Sequence, residues 1–105
     1  MKDASVVFKA ISDSNRRMIL QALKKQDMSA GDIAGLFTIS MPAISRHLSI
    51  LKAAELVTER REGNSIIYHL NSENLAVCLS GFISSVCPLE MIERKRKTKD
   101  QSGRR

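Results

Sequence analysis

Tryptophan is absent, and proline, cysteine and histidine occur only twice each in the 105 residues. Only Phe8, Phe37, Tyr68 and Phe82 are aromatic, so a core has to be assembled from Ile, Leu, Val and Met. His47 and His69 have no nucleophile and carboxylate placed with them in a catalytic pattern. No glycine-rich loop can cradle a phosphate either, so an enzyme is not expected. Cys, His, Asp and Glu do not recur at metal-ligand spacing, so no metal or other cofactor is expected. The most apolar stretch, Leu75 to Val86, is too short for a bilayer and contains Ser80, Gly81, Ser84 and Ser85. Lys2, Asp3 and Lys9 interrupt any apolar run near the N-terminus, so no export signal is read there. The expectation is a cytoplasmic protein in which Cys78 and Cys87 are reduced thiols.

What is present is ordinary globular material, with 43% hydrophobic and 27% charged residues and room for one domain. The net charge of +6 is unevenly placed. Residues 93–105 hold seven bases and two acids, while residues 1–92 hold ten bases and nine acids. The chain therefore divides into a nearly neutral folded domain, 1–92, and a basic tail, 93–105, that reads as disordered. Overall basicity cannot identify a nucleic-acid surface in the domain, because it belongs to the tail.

Along the domain, Val6, Val7, Phe8 and Ile11 mark a short first helix. Asp13 caps a second, with Ile19, Leu20 and Leu23 as its stripe and Lys24 and Lys25 at the favourable end of its dipole. Ser29 and Asp32 form a capping box for a brief third helix, whose Ile33, Ala34, Leu36 and Phe37 are expected to face inward. After a three-residue break, Thr38-Ile39-Ser40, Ser40 caps a fourth helix with Pro42 in its first turn, running to about Ala54. The period then falls to two. Leu56 to Glu62 and Ser65 to Leu70 read as strands around a Gly63-Asn64 turn, with Ile66, Tyr68 and Leu70 on one face. Asn71 or Ser72 caps a last helix from about Glu73 to Val86. The fold class is mainly α with a β-hairpin wing, in the order α-α-α-α-β-β-α.

The third and fourth helices make a helix-turn-helix. On the fourth, Ile44, Leu48 and Leu51 form the buried stripe, and Pro42, Arg46, Ser49 and Ala53 lie opposite, flanked by Ser45 and Ile50. That outward face carries hydroxyls, small residues and one arginine, and no acid. Small side chains let a helix sit deep in a major groove, where Arg46 can reach a guanine edge or a phosphate. Ser40, Met41 and Ser45 stand at the end from which such helices touch base edges. His47 sits at the edge of the stripe, suited equally to boundary packing or a phosphate contact. Arg60 and Arg61, with Asn64 and Ser65 at the turn, make the hairpin a basic wing that straddles the backbone, diluted by Glu59 and Glu62. Arg16 and Arg17 read as structural.

These segments resemble the ArsR-type winged-helix transcriptional regulators. The resemblance lies in Phe8-Lys9-Ala10-Ile11-Ser12-Asp13 with Arg16-Arg17-Met18-Ile19-Leu20, in Met28 to Ala34 with Ile39 to Leu48, and in Arg60 to Leu70. It covers about residues 5–75 in unbroken order. It implies a homodimer built from the first and last helices, a pseudo-palindromic double-stranded operator, and repression, often of the protein's own operon. It places Ser40, Met41, Pro42, Ser45, Arg46 and His47 on the recognition helix. Ser14 stands where the family usually has proline. Met28 to Leu36 lacks the cysteines, and Glu73 to Ile92 the histidines, that metal-sensing members use.

On the last helix Leu75, Leu79, Phe82 and Val86 repeat at helical spacing, widened by Ile83 and Cys78. With Val6, Val7 and Phe8 they offer more apolar surface than one small core needs, so a two-fold dimer through these residues is expected. Cys87 precedes Pro88 at the helix end and is a candidate redox site between subunits; Cys78 reads as a small packed hydrophobe. Two rival functions remain at this level: a winged-helix protein-interaction module, and a non-specific nucleic-acid binder led by the tail.

Overall fold

The computed structural model describes residues 3–88 and 90–91; the basic tail, 93–105, lies outside the described residues. Eight elements follow one another: α1 (Ala4–Ile11), α2 (Ser14–Lys25), β1 (Met28–Ser29), α3 (Ala30–Ala34), α4 (Met41–Ala53), β2 (Val57–Glu62), β3 (Ser65–Leu70) and α5 (Ser72–Val86). Three of the four caps read from the sequence are made; the fourth is not, because the Asn71 side chain at the start of α5 makes no bond to its own helix. Asp13 Oδ1 accepts from Asn15 N (2.8 Å) and Arg16 N (3.1 Å). Ser29 Oγ accepts from Asp32 N (3.1 Å) while Asp32 Oδ2 accepts from Ser29 N (3.3 Å). Ser40 Oγ accepts from Ala43 N (3.3 Å). These bonds satisfy helix-end N–H groups that would otherwise lack partners.

The core gathers residues from every helix: Val7 and Ala10, then Ile19, Leu20 and Leu23, then Ile33, then Ile44, Leu48 and Leu51 from α4, and Cys78 from α5. Leu56 and Val57 close it beneath the sheet. Aliphatic side chains dominate, as the shortage of aromatics requires; Tyr68 and Phe37 only pack against the edge.

Three expectations are corrected. The hairpin is a three-stranded antiparallel sheet, ordered β1-β3-β2, because Met28 pairs with Tyr68 and Ser29 with Ile67. Two residues carry no period, so only the distant partner β3 defines β1 as a strand. Secondly, α3 ends at Ala34 and its link to α4 runs over Gly35–Ser40, longer than the three-residue turn read from the sequence. Leu36 falls in that turn and is 56% exposed rather than inward. Thirdly, Val7 is fully buried inside its own chain. It supports the core and has no surface left for a partner subunit.

The wing turn has φ +61° at Gly63, whereas Asn64 has no positive φ. This sign pattern is that of a type II′ turn, which matches the right-handed twist of the flanking strands and favours glycine at its first central position.

Candidate nucleic-acid interface

The outward face of α4 is built by its inward one. Ile44, Leu48 and Leu51 are at most 1% exposed and anchor the helix, leaving Met41, Pro42, Ser45, Arg46 and Ser49 exposed on the surface. Ser40 is exposed too, with its oxygen occupied by the cap and its hydroxyl proton available to donate. Among the described residues Arg46 makes no ion pair, and no acid lies on this helix. A fixed helix N-terminus, three hydroxyls and the Arg46 guanidinium thus share one surface, a donor-rich arrangement suited to phosphate oxygens and guanine edges.

His47 is half-buried, and its Nδ1 lies 3.2 Å from Arg16 Nη1. Guanidinium can only donate, so Nδ1 accepts and the imidazole proton sits on Nε2. Arg16 also donates through Nε to Ala10 O (2.5 Å) and through Nη2 to Lys9 O (3.3 Å). Arg17 donates to Ile11 O (2.7 Å). Both arginines tie α2 to the end of α1, as the sequence suggested, and Arg16 extends that tie to the recognition helix.

The wing separates its two arginines. Neighbouring residues on a strand point to opposite faces. Arg60 donates to Asp27 Oδ2 and to Glu62 Oε2, both at 2.7 Å. His69 Nδ1 lies 2.7 Å from the other oxygen of Asp27. These hydrogen bonds from Arg60 and His69 hold the Asp27 carboxyl below its ordinary range. On the other face Glu59 is taken by Lys52, from the last turn of α4, and this partner raises the Lys52 pKa. Arg61 makes no ion pair among the described residues. Asn64 and Ser65 are exposed at the tip. Asp27 was not singled out from the sequence, because its partners lie 33 and 42 residues away.

Beyond the wing, α5 and α1 leave apolar side chains uncovered. Val6 (42%), Phe82 (50%), Ile83 (42%) and Val86 (61%) are exposed, and Phe8 meets Phe82 edge-to-face at 5.2 Å between ring centres. Leu79 is half-buried, and Leu75 packs against the core of its own chain. Cys78 is buried and Cys87, the C-cap of α5, is half-buried; both are free thiols. Among the described residues no group of three or more His, Cys, Asp or Glu is placed to hold a metal. None of the helices described is long and apolar enough to cross a membrane.

Known proteins share this arrangement. The family model for bacterial regulatory proteins of the arsR family matches residues 13–59, which span α2 to the start of the wing. The transcriptional repressor SdpR of Bacillus subtilis is 59% identical over 66 residues, covering 63% of this chain and 73% of that protein. The arsenical resistance operon repressor of Staphylococcus xylosus is 39% identical over 74 residues, covering 70% of this chain and 71% of that protein. An ArsR-like transcriptional regulator from Rhodococcus sp. RHA1 superposes with a TM-score of 0.72 at 28% identity, covering 93% of this chain and 90% of its own. These relatives are regulators rather than enzymes. With its winged helix-turn-helix, the chain belongs to the ArsR family of DNA-binding transcriptional regulators.

Proposed function

We propose that the protein is a homodimeric repressor that works in the cytoplasm, with α4 in the major groove of a pseudo-palindromic operator and the wing on the adjoining backbone. The observation that carries this reading is the acid-free outer face of α4, set beside the wing, with an Arg46 that makes no ion pair among the described residues. Ser40, Met41, Pro42, Ser45, Arg46 and Ser49 face the bases. His47 offers its Nε2 proton, and Arg61, Asn64 and Ser65 lie along phosphates. Arg60 plays a lesser part, because Asp27 and Glu62 already neutralise it. Repression, including that of the protein's own operon, is supported by relatives named as repressors.

The dimer is supported by the uncovered apolar surface of Val6, Phe8, Leu79, Phe82, Ile83 and Val86. An apolar face rimmed by polar residues is removed from water most simply by a second copy. Phe82→Asp is expected to give monomers by light scattering, and an unchanged dimer would remove these residues from the interface.

Selection of duplexes from a random pool tests the whole reading. The expected product is two symmetric half-sites about one helical turn apart, or a multiple of it. Failure to enrich any sequence would favour a protein-docking role instead. Deleting residues 93–105 is expected to preserve the selected sequence and weaken only the salt-dependent part of the affinity.

A further inference from the structure

α5 begins where α4 ends, and two asparagines spend their amides on the corner between them. Asn71 is the N-cap of α5, yet its side chain makes no bond to its own helix. Its Nδ2 donates to Glu55 O at 2.8 Å instead. Asn74, in the first turn of α5, donates through Nδ2 to Ala54 O (3.1 Å) and Glu55 O (3.2 Å). It is the one buried polar side chain among the described residues, 7% exposed.

The corner they hold is itself unusual. Glu55 has φ +59°, in a region where glycine is the ordinary occupant. Its N–H donates to Lys52 O and that of Leu56 to Leu51 O, both at 2.9 Å, which closes α4 tightly. Asn71 N then donates to Leu56 O, also at 2.9 Å. An N-cap residue that does not cap, a left-handed glutamate and a buried amide all fall at one junction. Departures from local preference of this kind concentrate where a geometry is held for function. A cavity of about 240 Å³ lined by Glu55, Asn71, Glu73, Asn74 and Val77 opens beside the joint. The amides therefore join the core contacts of Leu75 and Cys78 in holding α5 against the corner.

We propose that Asn74, seconded by Asn71, is a positioning residue that fixes the angle of the recognition helix to the dimer helix, and thereby the half-site spacing the protein accepts. The inference rests on the dimeric, operator-binding reading above. In a two-fold dimer the distance between the two α4 helices depends on the α5 contact and on each α4–α5 angle. The 13 residues of α4 make a lever of roughly 20 Å. A tilt of about 10° moves its far end by roughly 3 Å, close to the rise of one base pair. A side chain with both amide protons on successive carbonyls restrains such a tilt directionally.

The test uses the full chain and three duplexes built from the pool-selected sequence: the preferred operator, the same with one base pair inserted between half-sites, and a single half-site. Asn74→Leu removes both donors at similar volume. Its half-site affinity should stay within about twofold of wild type. Its preference for the preferred spacing over the insertion should shrink by about fivefold or more, within the usual range of coupling between sites. Glu55→Gly relaxes the backbone without touching the amides, and should raise the unfolding temperature and leave the spacing preference unchanged. If Asn74→Leu does not fold, the same ratios are read on Asn71→Ala, with a shrinkage of about threefold expected from the loss of its single bond. An unchanged spacing preference in a folded dimeric variant overturns the proposal, as does an equal loss on the half-site and the operator. A wild-type chain that is monomeric, or that enriches no sequence, overturns the dimeric reading and this inference with it.

Discussion

The recognition helix and the wing both expose arginines, but they treat them differently. On α4 the only arginine, Arg46, makes no ion pair among the described residues and has no acid on its helix. On the wing, Glu59 is held by Lys52 and Arg60 by Asp27 and Glu62, while Arg61 makes no ion pair among the described residues. Charge held in local pairs is screened and fixed, so it contributes little to a new partner. In the proposed complex the wing would then serve chiefly as a shaped edge with one spare cation, and the readout would fall to the helix.

The largest effect should come from the buried side of α4. Leu48→Ala leaves a cavity behind the recognition helix and is expected to cost about 2–5 kcal/mol of stability in denaturant unfolding. Ser49→Ala, its neighbour on the outward face, should change stability by no more than about 0.5 kcal/mol. If the two cost the same, the inward and outward faces have been misassigned. Gly63→Ala places a side chain at φ +61° and should lower stability by about 1 kcal/mol or somewhat more. Its effect on DNA affinity should exceed that small loss only if the shape of the wing matters.

Smaller effects separate the two wing arginines. Arg61→Ala should weaken binding to all duplexes alike and reduce the salt dependence by about one phosphate contact. Arg60→Ala should do less. Asp27→Ala leaves Arg60 held by Glu62 alone and should steepen the salt dependence slightly, the opposite of a simple loss of structure. The Asp27 carboxyl titrates below its ordinary value of 3.8, so its hold on Arg60 is present above that value and lost only as pH falls through the lower, folded-state pKa. Between about pH 5 and pH 8 acidification should therefore not mimic Asp27→Ala. Salt titrations at both ends of that window check this.

Local rules read much of the molecule directly from its residues. The caps at Asp13, Ser29 and Ser40, the stripe of Ile44, Leu48 and Leu51, and the Gly63-Asn64 turn each depend on residues a few positions apart. What escaped depends on distant partners. β1 exists because Tyr68 and Ile67 pair with it, and Asp27 matters because Arg60 and His69 meet on it. Asn74 looks like an ordinary polar residue near a helix start until Ala54 and Glu55 are placed beside it. Val7 and Phe8 look alike in sequence, yet Val7 is fully buried while Phe8 meets Phe82 at the surface. Spacing alone could not decide which of the two faces the core.

The central claim is that sequence is read from the outward face of α4, and the binding profile of Arg46→Ala over all single-base variants of the selected operator tests it most directly. The account predicts a loss of about 1–3 kcal/mol on the preferred sequence, together with relaxed preference at one position of each half-site and an unchanged unfolding midpoint. An affinity that falls equally on every sequence, or does not fall, would contradict it.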